Sequence, residues 1–219
     1  MADIAKNSFI RPFGRRRDAA DETLTPYIRT FGRIRGKRLS ERQQFLIDAV
    51  LPTIRTDANG DILEIGFGAG ENMMRLARAH PDKIIIGAEP FINGIASLLS
   101  RITDAAGAVL PEYKNIRIFP GDVRDFLASS NARFEQVYIL HPDPWPKARH
   151  EKRRLCSHEF LSSLPADEII IGTDHTDYYD WIREKNTNAQ PVDMAAIETK
   201  YQKKNMFGSD KTMYLKLKQ

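Results

Sequence analysis

From Asp61 onward, apolar runs too short for anything but strands alternate with segments that keep a helical period. Ile62-Leu63-Glu64-Ile65 reads as a strand, and Met73, Met74, Leu76 and Ala77 follow on a helix. Lys83 to Ala88 is a second strand, and Ile95, Leu98, Leu99 and Ile102 repeat at the i, i+3, i+4, i+7 spacing of an amphipathic helix. Asn115–Phe119, Phe134–Leu140 and Glu168–Gly172 supply three more strands, with short helices expected over 151–164 and 174–185. A chain that alternates in this way is confined to the α/β class, as a doubly wound, mostly parallel sheet with helices on both faces. Its 219 residues suit one such domain over residues 39–219, after a flexible basic arm over residues 1–38. Ser40 and Gln43 form a capping box for the first helix, which carries Phe45, Leu46, Ala49 and Val50 and which Pro52 is expected to end.

Composition removes several classes of function. No apolar run approaches the roughly 20 residues of a membrane span, and the N-terminus lacks a signal-peptide pattern. The one cysteine, Cys156, suits a reducing cytoplasm and reads as a half-buried helix thiol rather than a nucleophile. The five histidines lack metal-ligand spacing, so no metal is expected. Asp57-Ala58-Asn59-Gly60-Asp61 resembles the start of a calcium loop, but Ile62 and Gly68 stand where glycine and glutamate are needed. A monomer or weak homodimer is expected.

Where the first strand should turn into the first helix stands Gly66-Phe67-Gly68-Ala69-Gly70-Glu71. Glycines allow a tight turn and close approach of a ligand to the backbone. A dinucleotide fingerprint needs its third glycine where Glu71 stands, and a carboxylate there opposes a pyrophosphate. Glu64 lies under the loop, Glu89 closes the second strand, and Asp122 follows the third. Taken singly, each is a surface acid or a helix cap. Three acids at three successive strand ends suit a cationic cofactor without phosphates, and S-adenosylmethionine has that chemistry. A nicotinamide-dependent oxidoreductase is the rival reading, since glycines alone do not exclude it.

After the fourth strand the chain reads His141-Pro142-Asp143-Pro144-Trp145-Pro146-Lys147, then Arg149, His150, Lys152, Arg153 and Arg154. Neither helix nor central strand runs through three prolines, so a stiff loop leaves a strand end bearing an acid, an indole and cations. Between residues 11 and 42 ten cations face four acids, and Lys200, Lys203, Lys204, Lys211, Lys216 and Lys218 form a third cluster. Three basic clusters near Phe31, Trp145 and Tyr201 fit a polyanion, with nucleic acid first among them.

The segments Leu63-Glu64-Ile65-Gly66-Phe67-Gly68-Ala69-Gly70 and Pro142-Asp143-Pro144-Trp145, the second followed by its basic run, resemble the bacterial tRNA (guanine-N7-)-methyltransferases over roughly Phe31 to Lys218. The resemblance implies a Rossmann-like class I methyltransferase fold of seven strands, with residues 211–217 supplying an antiparallel last strand. It implies S-adenosylmethionine as methyl donor and a guanine of the tRNA variable loop as acceptor. Position by position it makes Glu64, Gly66, Gly68, Gly70, Glu89 and Asp122 cofactor contacts. Asp143 becomes the catalytic position, shared by cofactor and target base. Lys147, Asp174, Thr199, Lys200, Tyr201 and Gln202 match substrate positions, and Arg149, His150, Lys152, Arg153 and Arg154 match the RNA-binding segment. The chain departs from the pattern at His141, where phenylalanine is usual, at Pro146, and at Gln202, where the family carries glutamate. That last change keeps a non-catalytic RNA-binding protein on the same scaffold as the alternative.

Overall fold

The computed structural model describes residues 36–57, 59–195, 197 and 211–219. The body of the expected arm and the segment Thr199–Gln202 lie outside them. Seven strands form one sheet: β1 (Ile62–Ile65), β2 (Ile85–Ala88), β3 (Ile116–Phe119), β4 (Phe134–Leu140), β5 (Ala166–Thr173), β6 (Gln190–Val192) and β7 (Met213–Lys218). Their spatial order is β3-β2-β1-β4-β5-β7-β6. The first five are parallel, β7 runs antiparallel to β5, and β6 antiparallel to β7. The α/β expectation and the antiparallel last strand both hold. β6 had no sequence signal: it is three residues long, and Pro191 sits in it, which an edge strand tolerates.

Alternation along the strands sends side chains to two cores. One face carries Ile62, Ile85, Ile116, Ile118 and Tyr138 under α3 (Glu71–Ala79) and α4 (Ile92–Ile102), together with the N-terminal helical segment. The other carries Leu63, Ile86, Val137, Ile139, Ile169 and Leu215 under α5 (Val123–Ser129), α6 (His158–Ser163) and α7 (Thr176–Lys185). All four helical-period residues of α4 are buried, as their spacing predicts.

The N-terminal segment starts where its capping box places it. Gln43 N donates to Ser40 Oγ at 3.2 Å, and Ser40 N donates to Gln43 Oε1 at 3.0 Å. It does not end at Pro52. α1 (Glu41–Phe45) widens into a π-helical stretch, Leu46–Val50, and resumes as α2 (Leu51–Ile54). Pro52 falls at the second position of α2, directly after the widening.

Parallel register brings Ile65, Ala88, Phe119 and Ile139 to one edge of the sheet, so the loops after β1 to β5 converge there. Helix α4 also presses on that edge. A Cβ built at Gly94 falls 2.5 Å from the carbonyl oxygen of Gly68, a backbone atom that cannot rotate away. Gly94→Ala is therefore expected to cost about 1–3 kcal/mol, and a melting curve indistinguishable from wild type contradicts this packing.

Candidate active site

The turn after β1 is built from left-handed residues. Gly66, Gly68 and Gly70 have φ of +71°, +57° and +80°, a region other residues enter only at a cost. Gly66 N donates to Ala88 O at 2.8 Å, tying the turn to the end of β2. A Cβ at Gly66 meets nothing within 4 Å, so the backbone there borders open space. Glu89, 6% exposed, accepts from Gly68 N and from Phe91 N, each at 2.8 Å. Burial raises its pKa, those two N–H groups oppose the rise, and the charge of Asp143 adds to it. The acid after β2 thus supports the glycine turn.

Glu64 points up from β1 and is 3% exposed. Asn72 Nδ2 donates to its Oε2 at 3.2 Å, and Arg75 Nε donates to Asn72 Oδ1 at 2.8 Å. Burial nevertheless pushes the Glu64 carboxyl up to about 8. Nothing in the sequence pointed to Asn72 or Arg75; their link to Glu64 needs the strand-to-helix turn. Glu71 does not stand alone: Arg101 Nη1 reaches its Oε1 at 2.9 Å and Ala69 O at 3.2 Å. Its charge is therefore part-compensated, which weakens the bar it sets against a pyrophosphate. Asp122 caps α5, accepting from Arg124 N at 2.9 Å.

The proline loop leaves β4 beside these groups. Leu140 and His141 line the same cleft as Glu64, Gly66 and Asn72. His141 has φ of +50° and Trp145 φ of +42°. For such residues this conformation costs about 1–3 kcal/mol each and persists where the surroundings enforce it. His141 N donates to Gly172 O at 2.7 Å, and its Nδ1 lies 3.6 Å from Asp174 Oδ1. Burial lowers the His141 pKa against the pull of Asp174. Trp145 is half-buried, edge-on to His150 at 5.7 Å and 5.0 Å from the Arg153 guanidinium. Asp143, Lys147, Arg149 and Lys152 are exposed. Arg154 turns inward, toward α7. Asp174 is buried at the end of β5, and Cys156 is buried with its thiol pushed up to about 12. Among the described residues no cluster of side chains suits a metal ion.

A sheet in this order with an antiparallel β7, a glycine turn after β1 and buried acids after β1 and β2 defines a class I methyltransferase. The family described as "Putative methyltransferase" matches residues 58–213. A tRNA (guanine-N(7)-)-methyltransferase of Caulobacter vibrioides is 36% identical over 211 residues, 82% of this chain and 90% of its own. Its counterpart in Novosphingobium aromaticivorans is 40% identical over 173 residues, 70% of this chain and 72% of its own. Among solved structures, the 16S rRNA methyltransferase KamB aligns with 84% of this chain and 96% of its own at 14% identity and a TM-score of 0.49. The chain belongs to the tRNA (guanine-N7-)-methyltransferase family, and the oxidoreductase reading falls away.

The buried Glu64 gives a signed pH effect. A carboxyl raised from 4.5 to about 8 in the folded state holds its proton longer than in the unfolded chain, so its contribution to stability falls across that window as pH rises. Ligand-free Glu64→Gln is expected to melt above wild type near pH 8 and to lose that advantage near pH 5. A constant difference across the titration contradicts the assignment.

Proposed function

We propose that this protein transfers a methyl group from S-adenosylmethionine to N7 of a guanine in tRNA. The observation that carries the reading is the shared cleft: His141, which opens the loop bearing Asp143 and the cations, lines the same space as Glu64 and Gly66. The groups present suit the cofactor. The buried acids Glu64 and Glu89 and an open stretch of backbone at Gly66 match a cationic, hydroxyl-bearing molecule, whose positive charge would favour the ionised form of Glu64. In this reading Glu89 accepts from the ribose hydroxyls while keeping its backbone bonds, Glu64 faces the positive end of the cofactor, and Asp122 lies toward the adenine. S-adenosylmethionine supplies a methyl group on a sulfonium.

Guanine N7 offers a lone pair and carries no proton, so methylation there asks the protein for position and electrostatics rather than for a base. Asp143 is exposed and near enough to Glu89 to perturb it. Its carboxylate can accept from the N1–H and N2 amino edge of the base and offset the positive charge that develops on the purine. It orients and stabilises; it moves no proton. Lys147, Arg149 and Lys152 are exposed on the outer side of the loop and suit phosphates, which set register rather than read sequence. Asp174 and the segment Thr199–Gln202 are assigned to the base and its flanks. The basic arm over residues 1–38 is assigned to the tRNA as well. A monomer or weak homodimer in the cytoplasm completes the reading.

The deciding measurement is transfer of labelled methyl from S-adenosylmethionine to unmodified tRNA, with the product identified as 7-methylguanine. Tight tRNA binding without transfer would instead favour a non-catalytic RNA-binding protein. Asp143→Ala is expected to lower turnover by at least 100-fold while tRNA affinity stays within about twofold. A matching collapse of affinity contradicts the role given to Asp143.

A further inference from the structure

Two strained residues bracket Asp143, and what holds them bears on how the loop works. On the β4 side, the backbone bond from His141 to Gly172 and the proximity of Asp174 fix the first. On the other side the restraint comes from the basic run itself. Arg154 Nε donates to Pro144 O at 2.9 Å, one residue from Asp143 and one from Trp145. Its guanidinium lies 4.8 Å from the ring centre of Trp181 and 5.2 Å from that of Tyr178, both on α7. Trp181 is fixed in turn by its Nε1 donating to Glu151 Oε1 at 2.7 Å, and Tyr178 is fully buried with its hydroxyl accepting from Cys156 N at 3.2 Å. Arg153 covers Trp145 in parallel.

We infer that Arg154 is a positioning residue for methyl transfer, holding Asp143 through the Pro144 carbonyl from an aromatic seat on α7, rather than a contact to RNA phosphate. This departs from the role that the family resemblance implies for Arg154, and it rests on the proposed methyl transfer only for its effect on turnover. The chemistry requires arginine. A guanidinium is planar, stacks on aromatic rings and directs Nε–H in a fixed direction, whereas lysine offers a point charge on a flexible stem. Lysine serves a phosphate contact nearly as well, so the two roles separate on one substitution.

Arg154→Lys is expected to lower kcat at saturating tRNA by about ten- to 100-fold, with tRNA affinity within about twofold of wild type. Trp181→Leu, which removes half of the seat and no charge, is expected to lower kcat in the same direction, so the conclusion survives if one variant folds poorly. Arg154→Met is expected to leave the salt dependence of tRNA binding unchanged, whereas Lys152→Met reduces its slope by about one. Deuterium uptake over residues 141–153 is expected to quicken in Arg154→Lys. That arm needs no turnover, so an inactive wild type defeats the functional reading while the clamp is still decided. Wild-type kcat and wild-type exchange in Arg154→Lys, or a reduced salt slope in Arg154→Met, overturn the inference.

Discussion

The carboxylate of Glu89 is the hinge on which the site depends. It closes β2, yet both of its oxygens accept backbone N–H groups, one from the glycine turn after β1 and one from the start of α4. One side chain thereby ties the glycine turn to the entry of α4. The close approach of Gly94 to the Gly68 carbonyl completes the arrangement from the other side. A buried acid without such donors would be costly to charge; with them it keeps acceptor capacity for a ligand. The structural role of Glu89, as the acceptor of two backbone N–H groups, is thus compatible with the cofactor role proposed for it.

The same overlap runs through the basic loop. Its cations form one cluster in the sequence, and the fold divides them. Arg153 and Arg154 lie over aromatic rings and hold the loop, while Lys147, Arg149 and Lys152 face solvent. A count of charges cannot make that division, because it depends on where Trp145, Tyr178 and Trp181 end up. Trp145 is half-buried, packed against His150 and Arg153, which makes the loop a folded unit rather than a tether.

What could be read in advance followed from local chemistry. The five parallel strands announced themselves as apolar runs, α4 by its period, the N-terminal helix by Ser40 and Gln43, and the turn by glycines that all prove left-handed. What escaped depends on non-local geometry. The continuation through Pro52 needed a π-helical widening with no sequence signature. Asn72 and Arg75 matter only because the turn folds α3 back over Glu64. The salt link from Arg101 to Glu71 joins two helices thirty residues apart, and it tempers the charge that had seemed the simplest bar to a pyrophosphate.

The placement of β7 between β5 and β6 has a bearing on the order of assembly. Among the described residues, β6 pairs with no strand but β7, although it precedes β7 in the chain. β6 therefore has its pairing partner only once β7 lies against β5. Until that insertion the edge of β5 stays open, with its row of backbone donors and acceptors unpaired. The strands that lead to Glu64, Glu89 and Asp143 pair among themselves without β7. The parallel half of the sheet is thus independent of β7, whereas the far edge is held together by it.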